Sequence, residues 1–287
     1  MVKKLKILVT GSNGQLGQVL KKISINYSHF SFIFFSKDDM DISNSKILDE
    51  IISNILPDVI INCAAFTNVE LAEKNYDLVN QINNISVDHL AKFCSIYKIR
   101  LIHISTDFVF DGNNNLPYTE SDNPKPINNY GRSKFLGENS IFKYELKDSI
   151  ILRTSWLYSV SGNNFVTKIV NKVKEGKDFN INSDEIGSPT SAHDLANAIL
   201  FCIPKIKNNQ TEIFHFSNLG YCSRLDFAQK ISNLLGYNLI ISRSNTVTNV
   251  KRPKFSPLST KKFIDIFDYK VNEWETSLKN HISKNYG

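Results

Sequence analysis

The sequence predicts an α/β fold, a doubly wound parallel sheet with helices on both faces, followed by a second, smaller domain. Two observations support this prediction. Short apolar, β-branched runs alternate with amphipathic helical patterns through the first half of the chain, as in repeated βαβ units. The first of these runs leads directly into a glycine-rich turn at residues 11–17, which is a common opening of such a fold.

The first half of the chain contains five predicted strands, at residues 6–10, 32–35, 58–62, 100–105 and 149–153. We expect a helix after the first strand, a second one capped by Ser43, a long one over about 77–97, and a fourth that begins at Tyr130. Either Asn128 or Asn129 can cap this last helix. Right-handed crossovers would then make the strands parallel.

The second half has a less regular pattern. It predicts a helix from Asn163 to about Lys174, a strand over 212–216, and capping boxes at SAHD (191–194) and SRLD (223–226). This half therefore resembles a smaller domain built onto the end of the sheet.

Composition narrows the function classes. Of the 287 residues, 41% are hydrophobic and 22% are charged, which is typical of a soluble globular protein. The net charge is +6, but the lysines are scattered, which argues against a nucleic-acid surface and is compatible with anionic substrates. The chain has no apolar run of membrane-spanning length, and its four cysteines are widely separated. We therefore expect a cytoplasmic protein with buried thiols, without nucleic-acid or membrane partners.

The glycine turn has the pattern G-x-x-G-x-x-G between a strand and a helix. Gly11 would permit the tight turn, Gly14 the approach of a pyrophosphate, and Gly17 the close packing of the helix. The helix N-terminus would bind the phosphates. This context favours a Rossmann-like dinucleotide loop over a plain glycine-rich turn. We predict a dinucleotide-binding domain over 1–155, with additions from about 178–217, and a mainly substrate-binding domain over 156–287.

The end of the second strand bears on the choice between NADPH and NADH. The strand is followed by Ser36-Lys37-Asp38-Asp39. A basic residue here accommodates the extra phosphate of NADP, whereas an acidic one selects NAD, so either cofactor fits. Asp41 could bond the adenine amine or lie in a surface turn.

Tyr130 and Lys134 are four residues apart on a predicted helix, so they share one face. A phenol titrates near about 10, and an adjacent ammonium is expected to lower that pKa. The pair could therefore exchange a proton at neutral pH, or it could be a solvated helix face. Thr106, at the carboxyl end of the fourth strand, is placed to hydrogen-bond a carbonyl. His103 lies within that strand, where a core histidine is expected.

Several motifs together resemble the dTDP-4-dehydrorhamnose reductase family of the extended short-chain dehydrogenase/reductase superfamily, across nearly the full length. The most specific are STDFVF (105–110) and YGRSKFLGE (130–138). The others are residues 11–17, 41–42, 62–67, RTSWLY (153–158), NNFV (163–166), GSPTSAHD (187–194) and Arg252-Pro253.

The resemblance implies hydride transfer from NADPH or NADH to the C4 ketone of a dTDP-linked 6-deoxy hexulose, giving dTDP-L-rhamnose. It implies that Tyr130 donates the proton, that Lys134 lowers the pKa of the phenol and bonds the nicotinamide ribose, and that Thr106 orients the carbonyl. The implied cofactor contacts are Gly11, Asn13, Gly14, Gln15, Leu16, Gly17, Lys37, Asp41, Ile42, Ala64, Ala65, Thr67, Tyr130 and Lys134. The implied substrate contacts are Thr106, Asp107, Phe108, Trp156, Asn164 and Arg252.

Two departures from the family pattern affect these expectations. Phe108 replaces the usual tyrosine of the STDYVF stretch and so removes a hydroxyl that could touch substrate. Val19 replaces a glutamate that helps to hold magnesium between subunits in some members, so no metal is expected. A homodimer is compatible with the sequence.

Three other functions remain open at the level of sequence. A reductase of another nucleotide-linked 4-keto sugar would share the cofactor and catalytic residues. A non-catalytic regulatory subunit, like the relative that serves methionine adenosyltransferase as its β subunit, would share the fold. An epimerase or dehydratase would retain NAD through its cycle, and dehydratases usually carry acidic residues beside the threonine, where Asp107-Phe108 offers one.

Overall fold

The computed structural model describes residues 4–181, 184–244 and 250–287. Its centre is a six-stranded sheet with the order β10-β5-β4-β3-β1-β2, in which every pairing is parallel. These strands are β1 (Leu5–Thr10), β2 (Phe30–Phe34), β3 (Val59–Asn62), β4 (Arg100–Thr106), β5 (Ser149–Thr154) and β10 (Thr211–His215). The order runs outward from β1 in both directions, which confirms the predicted doubly wound sheet.

The remaining elements are helices and short strand pairs. The helices are α1 (Gln15–Ile23), α2 (Ser45–Ile55), α3 (Val69–Lys74), α4 (Tyr76–Asn80), α5 (Ser86–Tyr97), α6 (Asn129–Phe142), α7 (Phe165–Lys174), α8 (Ala192–Cys202), α9 (Arg224–Leu234), α10 (Lys261–Phe267) and α11 (Trp274–Asn285). The short pairs are β6 (Leu157–Tyr158) with β9 (Thr190–Ser191), β7 (Phe179–Ile181) with β12 (Ile241–Arg243), and β8 (Ile186–Gly187) with β11 (Cys222–Ser223). Within the described ranges, no helix has both the length and the apolar character needed to cross a bilayer.

The sheet is buried on both faces, as its continuous apolar strands predict. Ile7 and Val9 of β1 pack in one core with α1 and α8. Leu8, which points the other way, packs in a second core with α2, α5 and α6. A third apolar cluster joins α7, α9 and α11 outside the sheet. The chain after β5 therefore has a core of its own.

The predicted long helix over about 77–97 is present, but it is interrupted. A π-helical turn, Gln81–Ile85, lies between α4 and α5. The side chain of Asn83 in this turn accepts a hydrogen bond from the Phe66 backbone N–H and donates to the Phe66 carbonyl. It also donates to the Ser133 hydroxyl on α6, over 3.0 Å. The wide turn thus ties the loop after β3 to α6.

The α6 helix begins as predicted, because Asn128 caps it by accepting a hydrogen bond from the Gly131 N–H over 2.8 Å. The capping box at 223–226 is also confirmed. The predicted cap at Ser43 is wrong, since Asn44 caps α2 and the Ser43 hydroxyl donates to Asp41 instead.

The predicted box at 191–194 is wrong as well. Ser191 makes no side-chain cap at the start of α8, and the Asp194 carboxylate accepts from Asn218 and Ser277 of other elements. The Asp194 carboxylate is therefore bound to residues later in the chain and does not cap the start of α8.

Candidate active site

The glycine loop between β1 and α1 is built for close approach. Gly11 has φ +62°, and a Cβ there would lie 2.7 Å from the Ala64 nitrogen. A Cβ on Gly17 would lie 2.4 Å from the Gly11 carbonyl oxygen, so only glycine lets α1 sit on the loop. Gly14 is exposed at the N-cap of α1. Among the described residues no side chain caps this helix, and its first turn holds no acidic residue, as an anion site requires.

The other residues of the glycine loop that were predicted to contact the cofactor differ in exposure and in their hydrogen bonds. Asn13 is exposed, and its carbonyl accepts from the Gln18 amide. The Gln15 amide oxygen accepts from the Ser159 hydroxyl over 3.2 Å, which links the loop to the segment after β6. Leu16 is buried in the core beneath α1, so its backbone, rather than its side chain, faces the loop.

At the end of β2, Asp39 is turned back toward the chain. Its carboxylate accepts from the Ser36 N–H over 3.0 Å and from the Ser36 hydroxyl over 2.7 Å. These hydrogen bonds lower the pKa of Asp39. Lys37 and Asp38 are exposed.

The predicted adenine contacts lie just beyond. Burial raises the pKa of Asp41, but its hydrogen bonds from the Ser43 N–H and hydroxyl outweigh this effect and lower the pKa overall. Ile42 is buried in the core shared with α2. On the loop after β3, Ala64 and Ala65 are half-buried and Thr67 is exposed.

The three predicted catalytic residues lie at the carboxyl end of the sheet. Tyr130 and Lys134 occur on one face of α6, and the Tyr130 phenol is hydrogen-bonded with Thr106 at the end of β4. Lys134 is 2% exposed. Its amine donates to the Ile104 carbonyl over 2.7 Å and lies 3.1 Å from His103 Nε2. The sequence-based interpretation of His103 as a buried histidine is right, but its contact with Lys134 was not foreseen.

The predicted lowering of the phenol pKa is wrong for this structure. Burial raises the pKa of Tyr130 to about 12, and the Asp107 charge adds to this, while the Thr106 hydrogen bond lowers it in part. Burial also lowers the pKa of Lys134 to about 8, against the opposing charge of the Glu138 carboxylate. Burial is the largest influence on this phenol, and the Lys134 amine, which is bound to the Ile104 carbonyl of β4, does not reverse it. The phenol therefore stays protonated at neutral pH.

Asp107 is almost fully buried beside these groups. Its carboxylate accepts from the Thr106 hydroxyl over 3.2 Å and from the Ser256 hydroxyl over 2.6 Å. Burial nevertheless raises the pKa of Asp107 to about 6. Phe108 packs edge-on against the Tyr130 ring, with ring centroids 5.7 Å apart. The phenol thus has an apolar wall on one side and a carboxylate near the other.

A buried ion pair connects α6 to the central sheet. The Arg153 guanidinium on β5 donates to both Glu138 carboxylate oxygens, over 2.9 and 2.6 Å, and both side chains are 1% exposed. Ser105 also donates to Glu138. Since Glu138 lies one turn beyond Lys134, this pair fixes the catalytic face of α6 against β4 and β5.

A second feature is a cavity of about 360 Å³. Three cations and one carboxylate contribute to its wall, which is lined by Asn163, Asn164, Phe165, Lys168, Ile181, Glu185, Arg224 and Arg252. The Arg224 guanidinium lies 3.5 Å from the Trp156 ring centroid and 4.8 Å from that of Phe165, and it pairs with Glu185 over 3.3 Å. The Arg224 charge also acts on Asp107, which connects this cavity to the catalytic residues.

Arg252, predicted from the sequence, is found in this wall. It pairs with Glu70, and its Nε lies 3.8 Å from Glu185. Among the described residues this Nε has no hydrogen-bond partner although it is buried. The guanidinium of Arg252 nevertheless adds one of the three positive charges of the cavity wall, which suits a bound anion.

The other predicted substrate residues support the cavity. Trp156 has φ +43°, and its ring packs directly against Gly187, where a Cβ would lie 2.3 Å from the ring. Asn164 caps α7 through its amide oxygen and donates to the Ser159 carbonyl, so its side chain shapes the wall. Sequence reasoning missed Arg224, Lys168 and Glu185. Arg224 stands inside the SRLD motif, where only the capping pattern was recognised.

Comparison with known proteins agrees with this geometry. The family model of the RmlD substrate binding domain matches residues 5–286. The chain is 34% identical over 282 residues to the spore coat polysaccharide biosynthesis protein SpsK of Bacillus subtilis (strain 168), with 97% of each chain covered. It is 33% identical over 287 residues to a dTDP-4-dehydrorhamnose reductase of Aggregatibacter actinomycetemcomitans, with 96% of this chain and 97% of that one covered.

A solved structure shows the same relationship. The crystal structure of dTDP-4-dehydrorhamnose reductase from Bacillus anthracis str. Ames in complex with NADP has a TM-score of 0.92 and 34% identity, and the match covers 98% of this chain and 100% of that one. With a family model and relatives that match almost its whole length, this chain belongs to the dTDP-4-dehydrorhamnose reductase family.

Proposed function

We propose that the protein reduces the 4-keto group of a nucleotide-linked 6-deoxy sugar with NADPH or NADH, and that its substrate is dTDP-4-dehydrorhamnose, converted to dTDP-L-rhamnose. One observation carries this proposal. Asp107 adjoins Thr106 and Tyr130, and the positive charge of Arg224 in the cationic cavity lowers the pKa of Asp107 in part. A proton donor and an anion-binding wall therefore adjoin in a chain related over its full length to such reductases.

Tyr130 supplies the proton in the proposed reaction. The reduced nicotinamide, when bound, would supply the hydride, which adds to the ketone carbon and leaves the carbonyl oxygen as an alkoxide. Because burial keeps the Tyr130 phenol protonated, it can give its proton to that oxygen and become a tyrosinate. Thr106, already hydrogen-bonded with the phenol, is placed to orient the same oxygen.

Lys134 stabilises the tyrosinate in its ammonium form. Its amine is held at the end of β4 by the Ile104 carbonyl, on the face of α6 that also carries Tyr130. A positive charge on this face favours the phenolate that the reaction creates.

The cationic cavity fits the diphosphate of a nucleotide sugar. Arg224, Arg252 and Lys168 would bind phosphate oxygens through their positive charges. Glu185, which pairs with Arg224 and lies 3.8 Å from Arg252, holds both guanidinium groups in place. Asn164 lines the wall, Trp156 supports it through its contact with Arg224, and Phe108 packs beside the Tyr130 ring.

The cofactor would lie on the glycine loop. Gly11, Gly14 and Gly17 leave room for a pyrophosphate, and the open start of α1 offers its N–H groups. The related structure from Bacillus anthracis holds NADP. The exposed Lys37 is suited to the additional phosphate, while Asp39 is occupied by Ser36.

A panel of nucleotide sugars tests this proposal. The full-length protein is incubated with dTDP-4-dehydrorhamnose, or with UDP- or GDP-linked 4-keto sugars, and the absorbance of the reduced nicotinamide is followed. Consumption with the dTDP sugar is the expected result. Faster consumption with a UDP or GDP sugar would reassign the substrate, and no consumption with any sugar would favour a regulatory subunit.

The domain boundaries also belong to this proposal. The apolar cluster of α7, α9 and α11 supports a substrate-binding unit within 156–287, and the packing of α8 and β10 on the sheet supports their assignment to the dinucleotide-binding unit. The cytoplasmic location and the homodimer stay predictions.

A further inference from the structure

Three neighbouring strands carry a polar residue at the same register near their carboxyl ends. Thr10 on β1 is paired with Asn62 on β3, and Asn62 is paired with His103 on β4. The residues two positions earlier on each strand belong to the apolar core that faces α6. Because side chains alternate along a strand, this polar row faces α6 as well, the helix that carries Lys134.

The row forms a continuous chain of contacts. Thr10 Oγ1 donates to Asn62 Oδ1 over 2.6 Å, Asn62 Nδ2 lies 3.0 Å from His103 Nδ1, and His103 Nε2 lies 3.1 Å from Lys134 Nζ. Thr10, Asn62, His103 and Lys134 are 0%, 1%, 0% and 2% exposed. All four side chains of the row are therefore enclosed in the protein interior.

The orientation of the Asn62 amide is set by two donors. The Thr10 hydroxyl and, over 3.3 Å, the Ala64 backbone N–H both point at Asn62 Oδ1. The Thr10 hydroxyl can donate in this direction because its oxygen accepts from the same Ala64 N–H, over 3.2 Å. The NH₂ group of Asn62 must therefore face His103.

This orientation determines which imidazole nitrogen carries hydrogen. Burial and the charge of Lys134 lower the pKa of His103 well below its ordinary value, so the ring is neutral and carries one N–H. Its Nδ1 accepts from Asn62, which leaves the hydrogen on Nε2, opposite Lys134 Nζ. An N–H group forms a hydrogen bond with a neutral amine, but it opposes an ammonium.

We propose that Asn62 and Thr10 hold His103 as the Nε2–H tautomer, and that His103 is a positioning residue that favours the neutral amine of Lys134. This inference rests on the assignment of Lys134 to the catalytic pair in the proposed function. Burial acts in the same direction as His103, whereas the Glu138 carboxylate on α6 favours the ammonium. The Cys63 thiol after β3 also lies near, but burial raises its pKa to about 12, so it is neutral where Lys134 titrates. The lysine can then both hold and release a proton close to neutral pH, when the tyrosinate has to be reprotonated.

Imidazole ¹⁵N NMR on the cofactor-free, full-length protein tests the tautomer directly. The chain has six histidines, and the spectrum of His103→Gln identifies the signal of His103. We expect a protonated Nε2 and a bare Nδ1 at neutral pH. A protonated Nδ1, alone or together with Nε2, would overturn the inference. This readout needs no turnover, so a failure of the proposed function would leave it intact.

The Lys134 titration tests the consequence. In His103→Gln an amide oxygen can face Lys134 and stabilise the ammonium, so we expect the pKa of Lys134 to rise by on the order of one unit. It is measured from the ¹³Cε shift of labelled lysine, assigned with Lys134→Met, and the pH profile of kcat/KM should move the same way.

The matched control is His215→Gln. His215 is also a fully buried strand histidine beside a cation, with its Nε2 3.4 Å from Arg153, but it lies on β10 outside the polar row. It should lose comparable stability and leave the titration of Lys134 unchanged. An equal shift in both variants, or no shift in either, would contradict the role of His103.

Discussion

The guanidinium of Arg224 lies 3.5 Å from the centroid of the Trp156 ring and pairs with Glu185 over 3.3 Å. The ring itself is held by its contact with Gly187. Arg224 is therefore fixed in direction by an aromatic face and a carboxylate, and its charge points into the cavity proposed for the diphosphate. A planar, stacked cation of this kind suits arginine and not lysine.

Arg224→Lys should weaken substrate binding more than it slows the chemistry. The lysine keeps the charge but loses the stacked plane, a loss of about 0.5–2 kcal/mol. We expect KM for the nucleotide sugar to rise about 2- to 30-fold with kcat almost unchanged. Steady-state kinetics measures both constants.

The matched control for this change is Arg132→Lys. Arg132 also lies over an aromatic ring, 5.7 Å from the centroid of Tyr76, but it is exposed on α6. This variant should keep the KM of the wild-type protein. A similar KM increase in both variants would mean that the Arg224 stack does not contribute to binding the nucleotide sugar.

Tyr130→Phe should abolish most turnover without loss of cofactor binding. The substitution removes the proton donor and leaves the glycine loop untouched, so kcat should fall about 10²- to 10⁴-fold. Binding of the reduced cofactor is followed by fluorescence, and Tyr237→Phe, distant in sequence on the loop after α9, serves as the control. Undiminished turnover in Tyr130→Phe would show that another group supplies the proton.

Lys37→Ala should distinguish the two cofactors. If Lys37 binds the additional phosphate of NADPH, its loss should weaken NADPH by about tenfold and leave NADH unaffected. Dissociation constants for both cofactors are compared with those of Lys46→Ala, an exposed lysine on α2. An unchanged affinity for both cofactors would place Lys37 in solvent, and equal weakening of both would mean that it does not contact the additional phosphate.

Asp107→Asn should change how stability depends on pH. In the folded protein the pKa of Asp107 is about 6, above its ordinary value of 3.8. Between these two values the folded state holds a proton that the unfolded state has released, so this group contributes stability that is present below about pH 4 and lost as the pH rises through 6. We compare the free energy of unfolding of Asp107→Asn with that of the wild type. The difference, variant minus wild type, should be about 1–3 kcal/mol larger at pH 7 than at pH 4.

Urea unfolding of both proteins at about pH 4 and pH 7 measures this difference. Asp38→Asn, at an exposed position after β2, controls for the removal of a charge. A difference between Asp107→Asn and the wild type that does not vary with pH would show that the raised pKa of Asp107 is wrong.

The sheet and the cofactor loop could be predicted because their signals are local. A β-branched run such as Lys6–Thr10 followed by Gly11, Gly14 and Gly17 specifies a strand, a turn and a helix over a short stretch of chain. The cap at Asn128 was predictable for the same reason.

The missed features depend on packing between distant segments. The contact of His103 with Lys134 joins β4 to α6, and that of Arg224 with Trp156 joins α9 to the segment after β5. Burial, which only the folded chain defines, reversed the expected pKa shift of Tyr130. The SRLD motif does form the predicted capping box, but its pattern gives no indication that Arg224 also lines the cavity.

The π-helical turn at Gln81–Ile85 restricts where a residue can be deleted from this protein. A π turn holds one residue more than an α turn, and here the extra residue directs the Asn83 side chain toward Phe66. The Asn83 carbonyl oxygen packs against Gly137 of α6, where a Cβ on the glycine would lie 2.2 Å from that oxygen. Deleting a single residue would restore ordinary winding and turn one side of the helix by about 100° relative to the other. Most amino-acid exchanges in this turn would be milder than the loss of any one position, because the spacing itself holds the loop after β3 to α6, the helix that carries Tyr130.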